Sequence, residues 1–414
     1  MIYASSLAIF RCDNMDIKQE EITTLHDLHA DKKKLMKDLS DATADRPVSI
    51  IMPMLYSEIK HNALENIVKH INKCTYLKEV IVPLAAKNER EFIQVKRFFS
   101  KLAIPKYVMW CDGPKITRLL TQLKSQGLDI AKFSGKGRDV WLGLGIASIE
   151  SYGIALHDAD IQGYDETIPT KLLYPLLETE LDFKFNKGYY ARTSLDKSTM
   201  YGRVFRLFVH PLLRSFIDAL GNEPDFIRFL RSFRYPLSGE FALTSDLARD
   251  LDVPVGWGIE VGVMAEIYRN AAIKRICQTD LGFYEHKHQD IGGSDSGLVR
   301  MSGDIFRSLL RVLIEEDHIQ VSRSFLLSLL VIYKKNAQNA IRKYHADALF
   351  NGIKYDRHLE ETIVEKFSGE ILTSGNNYML KPIGTRMPDW LRTMTAREKI
   401  REELLEIVIE ENGK

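Results

Sequence analysis

Along the first third of the chain, short continuous apolar runs take turns with stretches whose apolar positions recur every three or four residues. A charged segment, Ile17 to Asp41, reads as a helical lead-in. Pro47 to Leu55 (PVSIIMPML) is then a compact apolar run bounded by prolines, the pattern of a strand buried on both faces. Glu58 to Asn72 has helical spacing, and Leu77 to Leu84 predicts a second strand. Another helical stretch follows, and Tyr107 to Trp110 is a third strand ahead of the turn Asp112-Gly113-Pro114. Strands alternating with helices in this way predict an α/β fold, a parallel sheet covered by helices.

The same alternation continues with a helix over Val140 to Ser151 and the apolar run Gly153 to Leu156, which ends in His157-Asp158-Ala159-Asp160. Open α/β sheets bind ligands beyond the carboxyl ends of their strands, so these two carboxylates stand where a site belongs. The pattern also predicts a strand over Ile276 to Phe283. From Gly303 the pattern turns helical through Phe306 to Leu313, Ser324 to Tyr333 and Arg397 to Ile409. The expected division is a lead-in over 1–46, a catalytic unit over 47–300 and a mostly helical C-terminal extension over 301–414. The last helix packs either on the core or on a second subunit. No internal repeat or low-complexity linker interrupts the chain.

Composition narrows the function classes. With 414 residues, of which 45% are hydrophobic, disorder, collagen-like repetition and small disulfide scaffolds are excluded. The 57 Lys and Arg nearly balance the 56 Asp and Glu. There is then no global attraction to nucleic acid or anionic lipid, and an anionic ligand must be held by a local cluster of donors. Cys12, Cys74, Cys111 and Cys277 lack C-x-x-C spacing, which argues for free thiols rather than a zinc knuckle, a redox pair or a secreted framework. The longest apolar stretch, Phe325 to Tyr333, is far short of a membrane span and is followed by Lys334 and Lys335. Met1 to Phe10 lacks a basic n-region, so a cytoplasmic protein with no membrane partner is expected.

Several local patterns carry chemistry. Asp158 and Asp160, two residues apart just past a strand, suit a hard divalent cation whose oxygen shell is completed by phosphates. Ser134-Gly135-Lys136-Gly137-Arg138 is a glycine-flanked basic loop opening a helix at about Asp139, a natural phosphate cradle without Walker spacing. Tyr189-Tyr190-Ala191-Arg192 and Tyr201-Gly202-Arg203-Val204-Phe205-Arg206 set arginines among aromatics, suited to bidentate capture of phosphate or carboxylate. Pro236 to Glu240 and Gly256 to Glu260 each end a glycine-bearing loop in an acid, and Glu285-His286-Lys287-His288 offers an imidazole as a metal ligand.

Taken in order, these blocks resemble the glucosyl-3-phosphoglycerate synthases, retaining glycosyltransferases of the GT-A fold. The match runs through S-G-K-G-x-x-x-W (Ser134 to Trp141), D-A-D (Asp158 to Asp160), G-R-V-x-x-L-x-x-x-P-L-L (Gly202 to Leu213), P-L-S-G-E (Pro236 to Glu240), G-W-G-I-E-V-G (Gly256 to Gly262) and L-G-x-x-E-H-K (Leu281 to Lys287). The resemblance implies a Rossmann-like nucleotide-sugar-binding domain with a donor half over about 47–160 and an acceptor half over about 161–300. It also implies Mg²⁺ or Mn²⁺ held by Asp160, Asp158 and His286. Lys136 is expected on the donor phosphates, with Pro53, Leu55, Glu58, Ala159, Gly239, Glu240 and Glu260 lining the donor pocket. Glu260 is expected against the sugar, and Asp160 and Lys136 beside the leaving diphosphate. Gly202, Arg203, Val204, Phe205, Tyr190 and Arg192 are expected around 3-phosphoglycerate, and a homodimer is expected.

Three departures from the family pattern bear on these expectations. Pro53-Met54-Leu55-Tyr56-Ser57-Glu58 stands where the family has Pro-Ala-Leu-Asn-Glu. Pro83-Leu84-Ala85-Ala86 replaces an Asp-x-Gly-Ser type turn, which leaves the donor base open between uridine, the favoured one, and guanosine. Phe205 replaces a threonine, which removes a hydroxyl from the expected acceptor site. The alternatives are another sugar such as mannose, another small acid such as glycerate, and a sugar-nucleotide-binding scaffold without turnover.

Overall fold

The computed structural model describes residues 17–194, 198–256, 258–285, 297–382 and 386–413. Among them nine strands form one sheet: β1 (Thr23–Leu25), β2 (Val48–Ile51), β3 (Met54–Leu55), β4 (Leu77–Ala85), β5 (Lys106–Trp110), β6 (Gly153–Leu156), β7 (Phe185–Arg192), β8 (Phe241–Thr244) and β9 (Ile276–Tyr284). Their order is β1-β9-β7-β8-β6-β2-β4-β3, with β5 also paired to β4. Every pairing is parallel except those of β8 with β6 and β7. The carboxyl ends of eight strands and the amino end of β8 therefore share one edge, and the loops that follow them meet there.

Alternation along the strands sorts side chains onto two covered faces, which is why the runs are apolar throughout. Ile50, Val80 and Val82 pack beneath helices Asn62–Ile71, Glu89–Phe99 and Thr167–Leu177. Ile51, Ile81 and Ile154 pack on the other side, against helix Lys136–Glu150. That helix is buried on nearly all its faces, because a C-terminal strap lies across its outer surface. Trp390 stacks on Trp141 at a centroid distance of 4.0 Å. The Trp141 indole donates to the Pro388 carbonyl at 2.7 Å, and the Trp390 indole donates to the Trp141 carbonyl at 2.9 Å. Gly145 makes room for this: a Cβ there would stand 2.2 Å from the Trp390 ring.

Helices Gly297–Asp317, Arg323–Phe350 and Arg357–Leu380 join the same core, where Leu309, Tyr333 and Phe367 lie in one apolar cluster with Phe208 and Trp141. The last helix, Ile400–Gly413, closes the sheet edge at β5. There the Asn412 amide donates to the Val108 carbonyl at 2.9 Å and its oxygen accepts from the Val108 N–H at 3.1 Å, a side chain standing in for a neighbouring strand.

Four expectations are corrected by this architecture. The lead-in is helical only over Lys32–Ala42; Thr23–Leu25 is a strand, because its backbone finds a parallel partner in β9. The run Pro47 to Leu55 is not one strand: Pro53, which has no N–H to donate, separates β2 from the two-residue β3. The helix placed at Asp139 begins at Lys136, and the first C-terminal helix begins at Gly297 rather than beyond Gly303. Cys74, Cys111 and Cys277 are buried free thiols whose pKa values are pushed up by burial, while Cys12 lies outside the described residues. No described helix is long and apolar enough to cross a membrane.

Candidate active site

A cavity of about 720 Å³ opens at the shared strand edge. One side of it is built from two helix starts and one strand end. Gly135, at φ +118°, caps helix Lys136–Glu150, and Gly258 caps helix Ile259–Asn270, which carries Glu260 in its first turn. Between them the chain leaves β6 and presents Asp158 and Asp160. Lys136 Nζ donates to Asp158 Oδ1 at 2.7 Å and lies 3.8 Å from Glu260 Oε1. Burial by itself would lower the Lys136 pKa, but the Asp158 and Glu260 carboxylates outweigh it and hold the ammonium above its ordinary value. A fixed cation therefore stands between two carboxylates in a pocket that admits solvent.

The wall behind Asp158 is the loop ahead of β8. Lys187, fully buried on β7, donates to the Ser238 carbonyl at 2.7 Å, and the Ser238 hydroxyl donates to the Gly188 carbonyl at 2.6 Å. The Tyr190 hydroxyl donates to Glu240 Oε2 at 2.6 Å. Desolvation pulls the Lys187 pKa down to about 8, partly opposed by Glu260 and Glu240. These bonds press Gly239 against Asp158 so closely that a Cβ there would stand 2.7 Å from Asp158 Oδ2. On the other side of Asp158, His157 is fully buried, with Nε2 3.1 Å from the Tyr164 hydroxyl, and burial lowers its pKa to about 4. The imidazole is neutral beside the carboxylates.

The opposite side of the cavity is basic and aromatic. Arg192, at the end of β7, donates through Nη1 to the Tyr235 hydroxyl at 3.0 Å, and the Tyr190 and Tyr235 rings lie 5.2 Å apart. Arg203 follows Gly202 at the start of the next helical segment. The Nε atoms of both arginines are buried without a hydrogen-bond partner among the described residues. That of Arg203 lies 3.7 Å from a buried carboxylate, Glu360 Oε1, while both guanidinium side chains line the cavity, where their charge suits an incoming anion.

Most of the residues singled out from the sequence converge here. Pro53, Leu55, Glu58, Lys136, Asp158, Ala159 and Asp160 line the cavity, as do Gly239 and Glu260. Tyr190, Arg192, Gly202, Arg203 and Val204 line its basic, aromatic side. Two do not. Glu240 is fully buried behind the wall as the partner of Tyr190. Phe205 is half-buried, its ring 5.2 Å from that of Tyr235, and it is not among the residues lining the cavity. Arg206, grouped with the anion-binding arginines from its aromatic neighbours, is instead paired to a carboxylate of the C-terminal region. His286, with Lys287 and His288, and Trp257 lie outside the described residues. Among the described residues no cluster of three metal-ligating side chains occurs.

Sequence reasoning missed Asp139, Tyr235, Leu298, Arg300 and Met301, all of which line the cavity. The last three come from the first turns of helix Gly297–Asp317, whose role as a wall follows from packing and has no local signature. Asp139 directly follows the basic loop already noted, in the first turn of helix Lys136–Glu150, where burial raises its pKa against the pull of Arg138.

No family model matches the chain. It is 48% identical to the glucosyl-3-phosphoglycerate synthase of Methanococcoides burtonii, over 95% of this chain and 98% of that protein. It is 38% identical to the enzyme of the same name from Persephonella marina, over 95% and 97%. Among solved structures, the glucosyl-3-phosphoglycerate synthase of Mycobacterium tuberculosis shares the fold at 21% identity and a TM-score of 0.50. One crystal holds Mg²⁺ and UDP and covers 73% of this chain and 88% of that one; another holds Mn²⁺, UDP-glucose and phosphoglyceric acid and covers 73% and 89%.

Proposed function

The chain belongs to the glucosyl-3-phosphoglycerate synthase family and is a glycosyltransferase; from that premise we propose that it transfers glucose from UDP-glucose to the 2-hydroxyl of 3-phosphoglycerate with retention at the anomeric carbon. The observation that carries this reading is the division of one cavity: carboxylates flanking Lys136 on one side, and the arginines Arg192 and Arg203 on the other. A metal-bound diphosphate fits the first and a small phosphorylated acid the second.

Asp158 and Asp160 offer hard oxygen donors to the same cavity, which suits Mg²⁺ or Mn²⁺, ions that keep further positions for water and phosphate; His286 is proposed as the further ligand. A cation bound there supplies neutralisation of the negative charge that grows on the departing diphosphate. Lys136 adds to that neutralisation and is already oriented by Asp158. Glu260 lies beside it and is proposed to place the sugar hydroxyls rather than to attack carbon. Arg192 and Arg203 hold the acceptor so that its 2-hydroxyl reaches the face the diphosphate leaves. In the balanced step, the bond from the anomeric carbon to the diphosphate oxygen breaks, the bond to the acceptor oxygen forms, and the hydroxyl proton goes to the diphosphate.

The test is an NMR time course with UDP-glucose and Mg²⁺, with and without 3-phosphoglycerate. An α-linked product that needs the acceptor and disappears in Asp160→Ala is expected. A product formed only from a guanosine-linked donor, or only with unphosphorylated glycerate, would refute the proposed substrates while leaving the fold and family intact.

A further inference from the structure

Helix Arg357–Leu380 contributes no residue to the cavity, yet its first turn sends a carboxylate beneath the acceptor side. Glu360 is almost fully buried and accepts two hydrogen bonds from Arg206, from Nη1 at 3.0 Å and from Nη2 at 2.7 Å. The remaining Arg206 nitrogen, Nε, donates to the Tyr201 carbonyl at 2.8 Å, and the guanidinium lies over the Tyr344 ring at 4.8 Å. Glu360 Oε1 is also 3.7 Å from Arg203 Nε, which has no hydrogen-bond partner among the described residues. One carboxylate thus clamps one arginine and attracts a second without capping its donors.

A buried ion pair is weak evidence for stability, since an apolar pair of similar volume often replaces it without loss. An apolar pair cannot, however, fix the Tyr201 carbonyl or act on Arg203 at a distance. We propose that Glu360 is a positioning residue for the anionic acceptor. Through Arg206 it fixes the backbone at Tyr201, just before Gly202-Arg203, and by its charge it anchors the buried Nε of Arg203, so that this side chain is held in place on the cavity wall where the acceptor binds. Acceptor recognition then depends on a residue 154 positions from its arginine partner, Arg206. This inference rests on the reading of Arg203 as an acceptor contact.

Steady-state kinetics with UDP-glucose and 3-phosphoglycerate test it in the full-length enzyme. Glu360→Gln is expected to raise the acceptor KM about tenfold or more while the donor KM stays within about twofold, the signature of lost acceptor binding. Glu360→Asp should fall between Glu360→Gln and wild type. Because Glu360→Gln leaves a buried arginine under-paired, the double variant Arg206→Met, Glu360→Met is the second arm; it restores an apolar interior and should show the same raised acceptor KM. Arg203→Met separates the two levels of the argument. If it raises the acceptor KM while the double variant keeps the wild-type value, Glu360 is only structural and the inference fails. If Arg203→Met leaves the acceptor KM unchanged, the acceptor assignment itself fails. An equal rise in both KM values, or a fall in kcat alone, would also overturn the positioning role.

Discussion

Substituting Gly239 by alanine probes the donor side with a single methyl group. Its backbone does not lie in the left-handed region, so alanine is accepted locally. The added Cβ would stand 2.7 Å from Asp158 Oδ2, about 0.7 Å inside the 3.4 Å at which ordinary contact begins. The loop has little freedom to retreat, because Lys187 holds the Ser238 carbonyl and Tyr190 holds Glu240. The Asp158 carboxylate must therefore move, and with it the 2.7 Å contact to Lys136. A misplacement of about 1 Å typically lowers turnover about a hundredfold, so a shift of this size should lower kcat roughly 10- to 30-fold, about 1.4–2 kcal/mol of barrier. Folding stability should change by less than about 1 kcal/mol, since no buried group is lost. UDP release in saturating UDP-glucose, Mg²⁺ and 3-phosphoglycerate reads kcat, and urea denaturation reads stability. A Gly239→Ala enzyme with wild-type kcat and unchanged metal activation would refute the claim that close approach at Gly239 sets the Asp158 position.

Two further outcomes follow from packing and titration. Trp390→Ala empties a fully buried ring site and should cost about 3–5 kcal/mol in urea denaturation, and a loss under about 1 kcal/mol would show that the strap does not hold the Lys136 helix. His157, with its pKa lowered to about 4 from 6.5, is neutral in the fold at pH values where the unfolded chain is protonated; its contribution is whole above pH 6.5 and is lost as pH falls toward 4. Wild type should thus lose up to about 3 kcal/mol more than His157→Gln across that window, and parallel pH–stability curves for the two would refute the assignment.

The strands β2, β4, β5 and β6 were legible because burial on both faces leaves continuous apolar runs. β7 and β8 were not: Phe185–Arg192 carries Lys187 at its centre, a charge that reads as surface and is buried only because the Ser238 carbonyl meets it. Thr23–Leu25 is too short and polar to stand out from the charged lead-in. The donor side was legible because its chemistry is local, with Lys136, Asp158 and Glu260 each beside glycines that open a loop. The acceptor side was legible only in part. Arg203 and Arg206 look equivalent in sequence, and only the distant Glu360 turns one into a clamped strut and leaves the other with a spare donor.

The contact between Asn412 and Val108 joins residues 304 positions apart. During synthesis the rim of the sheet at β5 therefore emerges long before its cover, and for that interval its backbone can pair with any neighbouring nascent chain on the same message. Fragments ending before residue 412 leave this rim uncovered and should aggregate through it.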